Sequence, residues 1–261
     1  PLLMLLKISF QKSSVNTAFA GVSNYVRVLT NDAFISATKN TVTFALLAVP
    51  LAIVLSLLLA ILLNSGLPGK SFFRSVLLNP MTVPVASIVL IWQVFFSYNG
   101  VLNGWLYDLL GLNPTDWLKS EYAQGVILLL FLWKNLGYNM VLFLAALGNI
   151  PQEILESAKM DGAGAVKRFF SIKLHYLNST IFFVGIMSLV NSFKIFREVY
   201  LLTGDYPYEN LYMLQHFMNN AFTHLDYSKL SAGAIIMCIV MVVILGVLFF
   251  FETKTDSEVE E

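Results

Sequence analysis

Charge is scarce in this sequence. Only 12% of its 261 residues are Asp, Glu, Lys or Arg, and they balance to a formal net charge of zero, which leaves none of the basic surface that a nucleic-acid partner requires. Cysteine is nearly absent. Cys238 is the single thiol and lies in an apolar run, so neither a disulfide framework nor a cysteine-based metal site is available. Of the three histidines, His216 and His224 stand eight residues apart and have no clear third ligand, so solvated or interface histidines are expected and no metal site. No cleavable leader is evident, and the opening PLLMLLKISF is too short to span a membrane. What abounds is apolar surface: 57% of the residues are hydrophobic and the mean hydropathy is +0.72. A soluble domain of this length would not be so apolar, and an all-α polytopic membrane protein is the expectation.

Five stretches are long enough to cross a hydrocarbon core: about 41–63, 76–97, 123–148, 177–200 and 231–251. The first, Thr41 to Leu63, has 23 residues and should kink at Pro50. The turn after it carries a GKS triplet, but the leading glycine of a phosphate loop would fall on Asn64 and no strand precedes it, so no nucleotide site is read there. Asn79, Pro80 and Pro84 should break regular hydrogen bonding in the second span, as a simple kink in preference to a gating hinge. Trp92 in that span suits either packing or pore lining. Between Tyr98 and Tyr122 come turn signals around a short apolar helix, 102–110, with Trp105, Trp117 and Tyr122 suited to a membrane interface. The chain closes on ETKTDSEVEE, an acidic tail (252–261) expected to be disordered.

One polar stretch interrupts this pattern. From Ile150 to His175 the chain carries four basic and three acidic side chains, which cannot lie in hydrocarbon and must form an aqueous connection between spans. Pro151 fits a first helical turn, and Glu153 and Glu156 favour the positive end of a helix. Gly162 or Gly164 could supply a left-handed C-cap, after which helical spacing resumes from Ala165 to Lys173. Two helices at an angle would make a protruding hook. Glu156, Ser157, Ala158, Asp161, Gly162 and Ala163, with Ile172 and Leu174 further on, resemble the EAA loop of permease subunits of binding-protein-dependent ABC importers, specifically the maltose-type sugar permeases. The family has proline after the final leucine where this chain has His175. LLTGDYP, 201–207, likewise resembles the family's LTxGGP turn, with Asp205 and Tyr206 in place of small residues.

That resemblance implies a type I importer permease fold with six-helix topology. By the same comparison, residues 1–40 are the outer end of a first helix, largely missing from this sequence, plus an external segment, and 41–251 are the transmembrane domain. It implies that Glu156, Ser157, Ala158, Asp161, Gly162 and Ala163 couple to a separate ATPase, so that this chain holds no cofactor and ATP and Mg belong to the partner. Further implied partners are a second related permease, two ATPase subunits, an extracytoplasmic solute-binding protein received by the loop 98–122, and a carbohydrate substrate.

The residues themselves point to a pathway within the third and fourth spans. Lys134 lies eleven residues past Ala123, roughly 16 Å along a helix and therefore near mid-membrane. A cation there costs about 3 kcal/mol on insertion scales, so it should face a cavity or a partner group. Asn135, Tyr138 and Asn139 add polar groups nearby, and Gly137 would let another backbone or a ligand approach closely. In the fourth span Ser188, Asn191, Ser192 and Ile195 follow i, i+3, i+4, i+7 spacing on one face. For any one of these residues a structural polar contact between helices is as good a reading. By the resemblance, the substrate pathway is Trp133, Lys134, Asn135 and Tyr138 with Ser188, Asn191, Ser192 and Ile195, a set whose amides, hydroxyls and aromatic faces suit a sugar. No constellation for catalysis is present, so the chain is not expected to be an enzyme. An ion-coupled secondary carrier using Lys134 is the alternative.

Orientation follows from basic residues. Loops 64–75 and 150–180 hold six Lys or Arg in 43 residues, whereas 97–123 and 197–230 hold three in 61. The positive-inside rule puts the first pair, and with it the hook and the C-terminus, in the cytoplasm of a bacterial-type plasma membrane.

Overall fold

The computed structural model describes residues 2–13, 16–65 and 68–260. Residues 1, 14–15, 66–67 and 261 lie outside the described residues, and with them parts of the opening segment, of the 64–75 loop and of the acidic tail. The described residues are helical almost throughout: α1 (Leu2–Ser9), α2 (Ser23–Leu29), α3 (Asp32–Asn64), α4 (Lys70–Thr82), α5 (Val85–Phe96), α6 (Val101–Leu110), α7 (Ala123–Gly148) and α8 (Gln152–Met160) come first. After them follow α9 (Ala165–Arg168), a π-helical turn (Phe169–Lys173), α10 (Leu174–Tyr176), α11 (Asn178–Lys194), α12 (Phe196–Thr203), α13 (Leu214–Thr223) and α14 (Tyr227–Glu260).

Five apolar helical stretches among the described residues are long enough to cross a membrane: Asp32–Asn64, Val85–Leu110, Ala123–Gly148, Asn178–Thr203 and Tyr227–Phe250. An all-α polytopic membrane protein is therefore the observed class. The proline-rich second region is where hydropathy was least informative. Pro80 is accommodated inside α4, and the backbone turns extended at Val83 and Pro84 before α5 begins, because the residue ahead of a proline is driven out of the α region. The acidic end corrects an expectation. Its backbone continues α14 as far as Glu260 instead of being disordered, since no proline or glycine stops the helix beyond Gly246.

The chain divides into two compact units, the first comprising 1–46, 84–128 and 193–247 and the second 47–83, 129–192 and 248–261. In the first, Val28, Phe34, Ala37, Leu214, Phe217 and Ala232 form a buried cluster, with the Phe34 and Phe217 rings edge to face at 5.2 Å. Side chains of α3 secure the segment that leads into α13. Asn40 Nδ2 donates to the carbonyls of Glu209 (2.6 Å) and Tyr212 (3.0 Å), and Thr41 Oγ1 accepts from the Leu214 N–H at 3.0 Å, satisfying a donor that the helix start leaves over. Trp92, open to two readings on sequence, is buried within this unit with its ring 5.7 Å from Phe96, which is a packing role.

In the second unit the core joins α3, α7 and α11 through Leu57, Ala60, Leu63, Met140, Phe143, Leu144, Leu147, Leu177 and Val184. Gly137 of α7 is buried where the α4 backbone passes. A Cβ at that position would lie 2.9 Å from Leu78 N and closer still to the Leu77 carbonyl, so only glycine permits the crossing.

Candidate functional site

The polar positions of α7 and α11 meet within the second unit. Asn191 Nδ2 donates to Asn135 Oδ1 at 2.9 Å, and one turn along, Asn139 Nδ2 donates to Ser188 Oγ at 3.1 Å. Asn135 also donates to the Phe131 carbonyl at 2.8 Å, which holds its amide in one orientation. The spacing 135/139 on one helix matches 188/191 on the other because residues three and four apart share a helix face. Ser192 turns back to the Leu189 carbonyl of its own helix at 2.7 Å. Lys134 and Tyr138 are half-buried, and Trp133 is exposed. Ile195 does not join them. α11 ends at Lys194, Ile195 caps α12, and the residue is buried in the first unit, so the helical face read through it is interrupted. Asn139 is the partner that the sequence put nearby without ranking it among the site residues; its position four after Asn135 was the available signal.

The 150–175 loop folds as a helix–turn–helix. α8 starts behind Pro151 with Glu153 in its first turn and ends in a Schellman motif. The Ala163 N–H donates to the Ala158 carbonyl (2.9 Å) and the Gly162 N–H to that of Lys159 (3.1 Å). Gly162 has φ +78°, whereas Gly164 is extended and precedes α9, so of the two candidate caps Gly162 takes the left-handed position. Regular helix from Ala165 to Lys173 needs correction. After Arg168 the backbone widens into a π-turn over Phe169–Lys173, where one extra residue changes which side chains face inward. Phe169 thereby packs with Ile150, Leu155 and Leu177 on the core cluster, while Phe170 points away.

No residue of α8, α9 or the π-turn is buried. Met160 is 88% exposed, Val166 72% and Phe170 63%, so a hook outside the apolar helical stretches displays apolar side chains, the kind of patch that marks an interaction surface. Beside them Gln152, Leu155, Glu156, Lys159, Arg168 and Lys173 line a cleft of about 220 Å³. Arg168 Nε is buried and has no hydrogen-bond partner among the described residues. His175, where a proline was expected, sits inside continuous helical backbone, with Leu177 the single residue between α10 and α11.

In the first unit, on α13, His216 is fully buried with Nδ1 accepting the Met213 N–H at 3.2 Å. Phe196 and Tyr212 rings flank it at 4.7 and 5.8 Å. Burial pushes its pKa down to about 4, opposed by the Asp205 carboxylate, and burial likewise raises the Tyr212 phenol. His216 is thus a neutral interior residue. No group of three metal-ligating side chains occurs among the described residues.

Residues 52–254 match the family described as binding-protein-dependent transport system inner membrane component. The trehalose/maltose transport system permease protein MalF of Thermococcus litoralis is 34% identical over 190 residues, covering 72% of this chain and 64% of that protein. The lactose transport system permease protein LacF of Rhizobium radiobacter is 30% identical over 243 residues, covering 90% and 81%. The arabinooligosaccharides transport system permease protein AraP of Bacillus subtilis is 31% identical over 258 residues, covering 95% and 80%. The chain thus spans a little under two thirds of the first relative and about four fifths of the other two. Among solved structures, a bacterial ABC transporter involved in import of the acidic polysaccharide alginate superposes with a TM-score of 0.85 at 21% identity, over 97% of this chain and 88% of that one. The same kind of transporter in complex with an alginate pentasaccharide-bound periplasmic protein gives 0.81 at 22% identity, over 95% and 84%. At such identities the likeness speaks to fold alone.

Proposed function

The chain belongs to the family of binding-protein-dependent transport system inner membrane components, and from that premise we propose that it is the permease subunit of an ABC importer that carries a carbohydrate into the cell. The observation that carries the coupling part of this reading is the exposed hook. It holds Glu156, Ser157, Ala158, Asp161, Gly162 and Ala163 at the positions of the EAA loop and shows Met160, Val166 and Phe170 to the outside. An ATPase subunit covers these apolar residues and supplies a partner to Arg168 in the adjacent cleft. ATP and Mg are bound there, in the partner.

Motion of the hook is transmitted because its base is not loose. Ile150, Leu155, Phe169 and Leu177 pack on the cluster of α3, α7 and α11 residues, and packed helices shift as bodies instead of deforming continuously. The α7–α11 amide pairs lie on those same helices, which supports Trp133, Lys134, Asn135, Tyr138, Ser188, Asn191 and Ser192 as substrate-pathway residues; Ile195, outside α11, gains no support from them. Exchange of the Asn135–Asn191 hydrogen bond for bonds to solute hydroxyls is chemically balanced, one amide donor and one acceptor for another. The relatives named for maltose, lactose and arabinooligosaccharide transport support a carbohydrate as the solute. A second related permease, a second ATPase subunit and an extracytoplasmic solute-binding protein complete the assembly. The basic-residue bias supports placing the hook and the C-terminus in the cytoplasm of this multi-pass cytoplasmic membrane protein. The ion-coupled carrier built on Lys134 finds no support among the relatives.

Copurification of the tagged subunit from membranes tests the reading. Wild type is expected to bring down an ATPase and a second permease, and Glu156→Lys with Gly162→Trp to lose the ATPase alone. Absence of any ATPase from the wild-type preparation in mild detergent would refute it.

A further inference from the structure

A second place suited to a sugar lies within the first unit. A cavity of about 700 Å³ opens between the end of α5, the loop 111–122 and the turn after α12, within the roughly 300–1,000 Å³ of small-ligand sites. Tyr98, Tyr206 and Tyr208 line it, all three exposed. Asp116 and Lys119 bring a carboxylate and an ammonium to its wall, and Ser97 and Thr203 bring hydroxyls.

The walls are held in place before any ligand arrives. Asn103, 3% exposed, donates through Nδ2 to the carbonyls of Tyr98 (2.9 Å) and Thr115 (2.7 Å) and accepts at Oδ1 from Thr115 N–H (3.2 Å) and Trp117 Nε1–H (2.8 Å). One buried amide therefore joins the wall that carries Ser97 and Tyr98 to the wall that carries Asp116 and Lys119. The third wall is tied to the second through Asn210 Nδ2, which donates to the Glu121 carbonyl at 2.9 Å. It turns at Gly204 (φ +79°), and Asn219 Nδ2 reaches Asp205 Oδ1 at 3.2 Å. The backbone that carries the tyrosines is thereby held in place before binding, and preorganisation of this kind favours affinity.

We propose that this cavity is a saccharide-holding site of the permease, built from residues other than those of the α7–α11 pathway. The inference rests on the carbohydrate reading above. Phenol rings offer flat faces to the C–H surface of a pyranose while their hydroxyls stay solvated. Asp116 accepts from paired sugar hydroxyls, and Lys119 donates to ring oxygens, hydroxyls or a uronate. A single span, α7, separates loop 111–122 from the hook in the sequence, so with the hook in the cytoplasm, as proposed above, the loop emerges where solute arrives.

The test uses the assembled importer in nanodiscs, a panel of neutral and acidic mono- to tetrasaccharides, and saturation-transfer NMR beside uptake of the same panel by cells. The expected result is that the sugar taken up contacts the complex, and that Tyr206→Ala with Tyr208→Ala weakens its apparent affinity about fivefold or more. Lys119→Gln, an exposed change with no folding role, should weaken it at least about twofold. Trp105→Ala, an exposed aromatic outside the cavity, should leave contact unchanged. Asn191→Ala should lower uptake while keeping the contact. A transported sugar whose contacts ignore both the tyrosine pair and Lys119 overturns the proposal and leaves the importer reading standing. So does lost uptake with unaltered sugar contact, which would make the cavity a docking surface for the solute-binding protein. No uptake of any panel member by an intact complex would refute the carbohydrate reading and this inference together.

Discussion

Gly137→Ala is the smallest change that should break the helix packing of the second unit. The added Cβ would stand 2.9 Å from Leu78 N, with the Leu77 carbonyl group closer still, whereas ordinary contact begins at 3.4 Å. Both obstructing groups are backbone, so no rotamer change relieves the overlap. α4 and α7 must part by about 1 Å or more, and a gap of that size forfeits roughly a quarter to a half of the dispersion energy along the seam. Overpacking a well-packed site costs about 1–3 kcal/mol; rigid backbone on both sides puts this case at roughly 3 kcal/mol or beyond. Gly125 supplies the control. It lies in the same helix with nothing within 4 Å of its ideal Cβ, so Gly125→Ala should be neutral or gain up to about 1 kcal/mol from helix propensity. Thermal unfolding of the purified protein in detergent should therefore move in opposite directions, or at least clearly apart, for the two alanines. Equal melting temperatures for Gly137→Ala and wild type would show that the helices do not cross as described.

Other consequences are separable. Asn191→Ala should reduce transport or alter solute preference, since it leaves Asn135 Oδ1 without its donor; unchanged uptake kinetics would move the pathway elsewhere. Gly162→Ala should cost about 1–2 kcal/mol locally, because φ +78° is a left-handed conformation for an L-residue, and should weaken ATPase coupling while membrane insertion stays normal. Asn103→Ala removes the amide that joins two cavity walls and should raise hydrogen exchange over 97–117, with no change expected in the hook. His216 is held neutral, with its folded pKa of about 4 below an unfolded value of about 6.5. The unfolded chain then binds the proton first, so the contribution of His216 to stability is complete above pH 6.5 and falls as pH drops towards 4. At pH 5 the loss is about 2 kcal/mol. His216→Leu should flatten that part of the stability profile, and an unchanged profile would show that the imidazole is not buried neutral.

Much of this protein was legible in one dimension. Hydropathy alone demands membrane helices, because no aqueous fold hides so many apolar residues, and the 150–175 stretch declares itself by being the polar interruption. The EAA-like residues identify the family because their chemistry is local: a helix, a glycine that must turn left-handed, and a second helix. Pairing was less accessible. Asn135 and Asn139 could be put on one face of α7, but that Asn191 meets the first and Ser188 the second depends on how two helices are rotated about their axes. Ile195 obeyed the same periodicity and failed to join, because periodicity assumes an unbroken helix and α11 ends one residue before it.

By itself, then, the sequence determined the helical class, the number of long apolar stretches and the hook, since each depends on composition or on spacing within a few turns. Only the tertiary structure decided that a π-turn turns Phe170 outward, that Gly137 faces the Leu77 backbone, and that Asn103 and Asn210 between them tie together the three walls of one cavity. Those outcomes depend on contacts between elements, whose distances and rotations no single segment encodes.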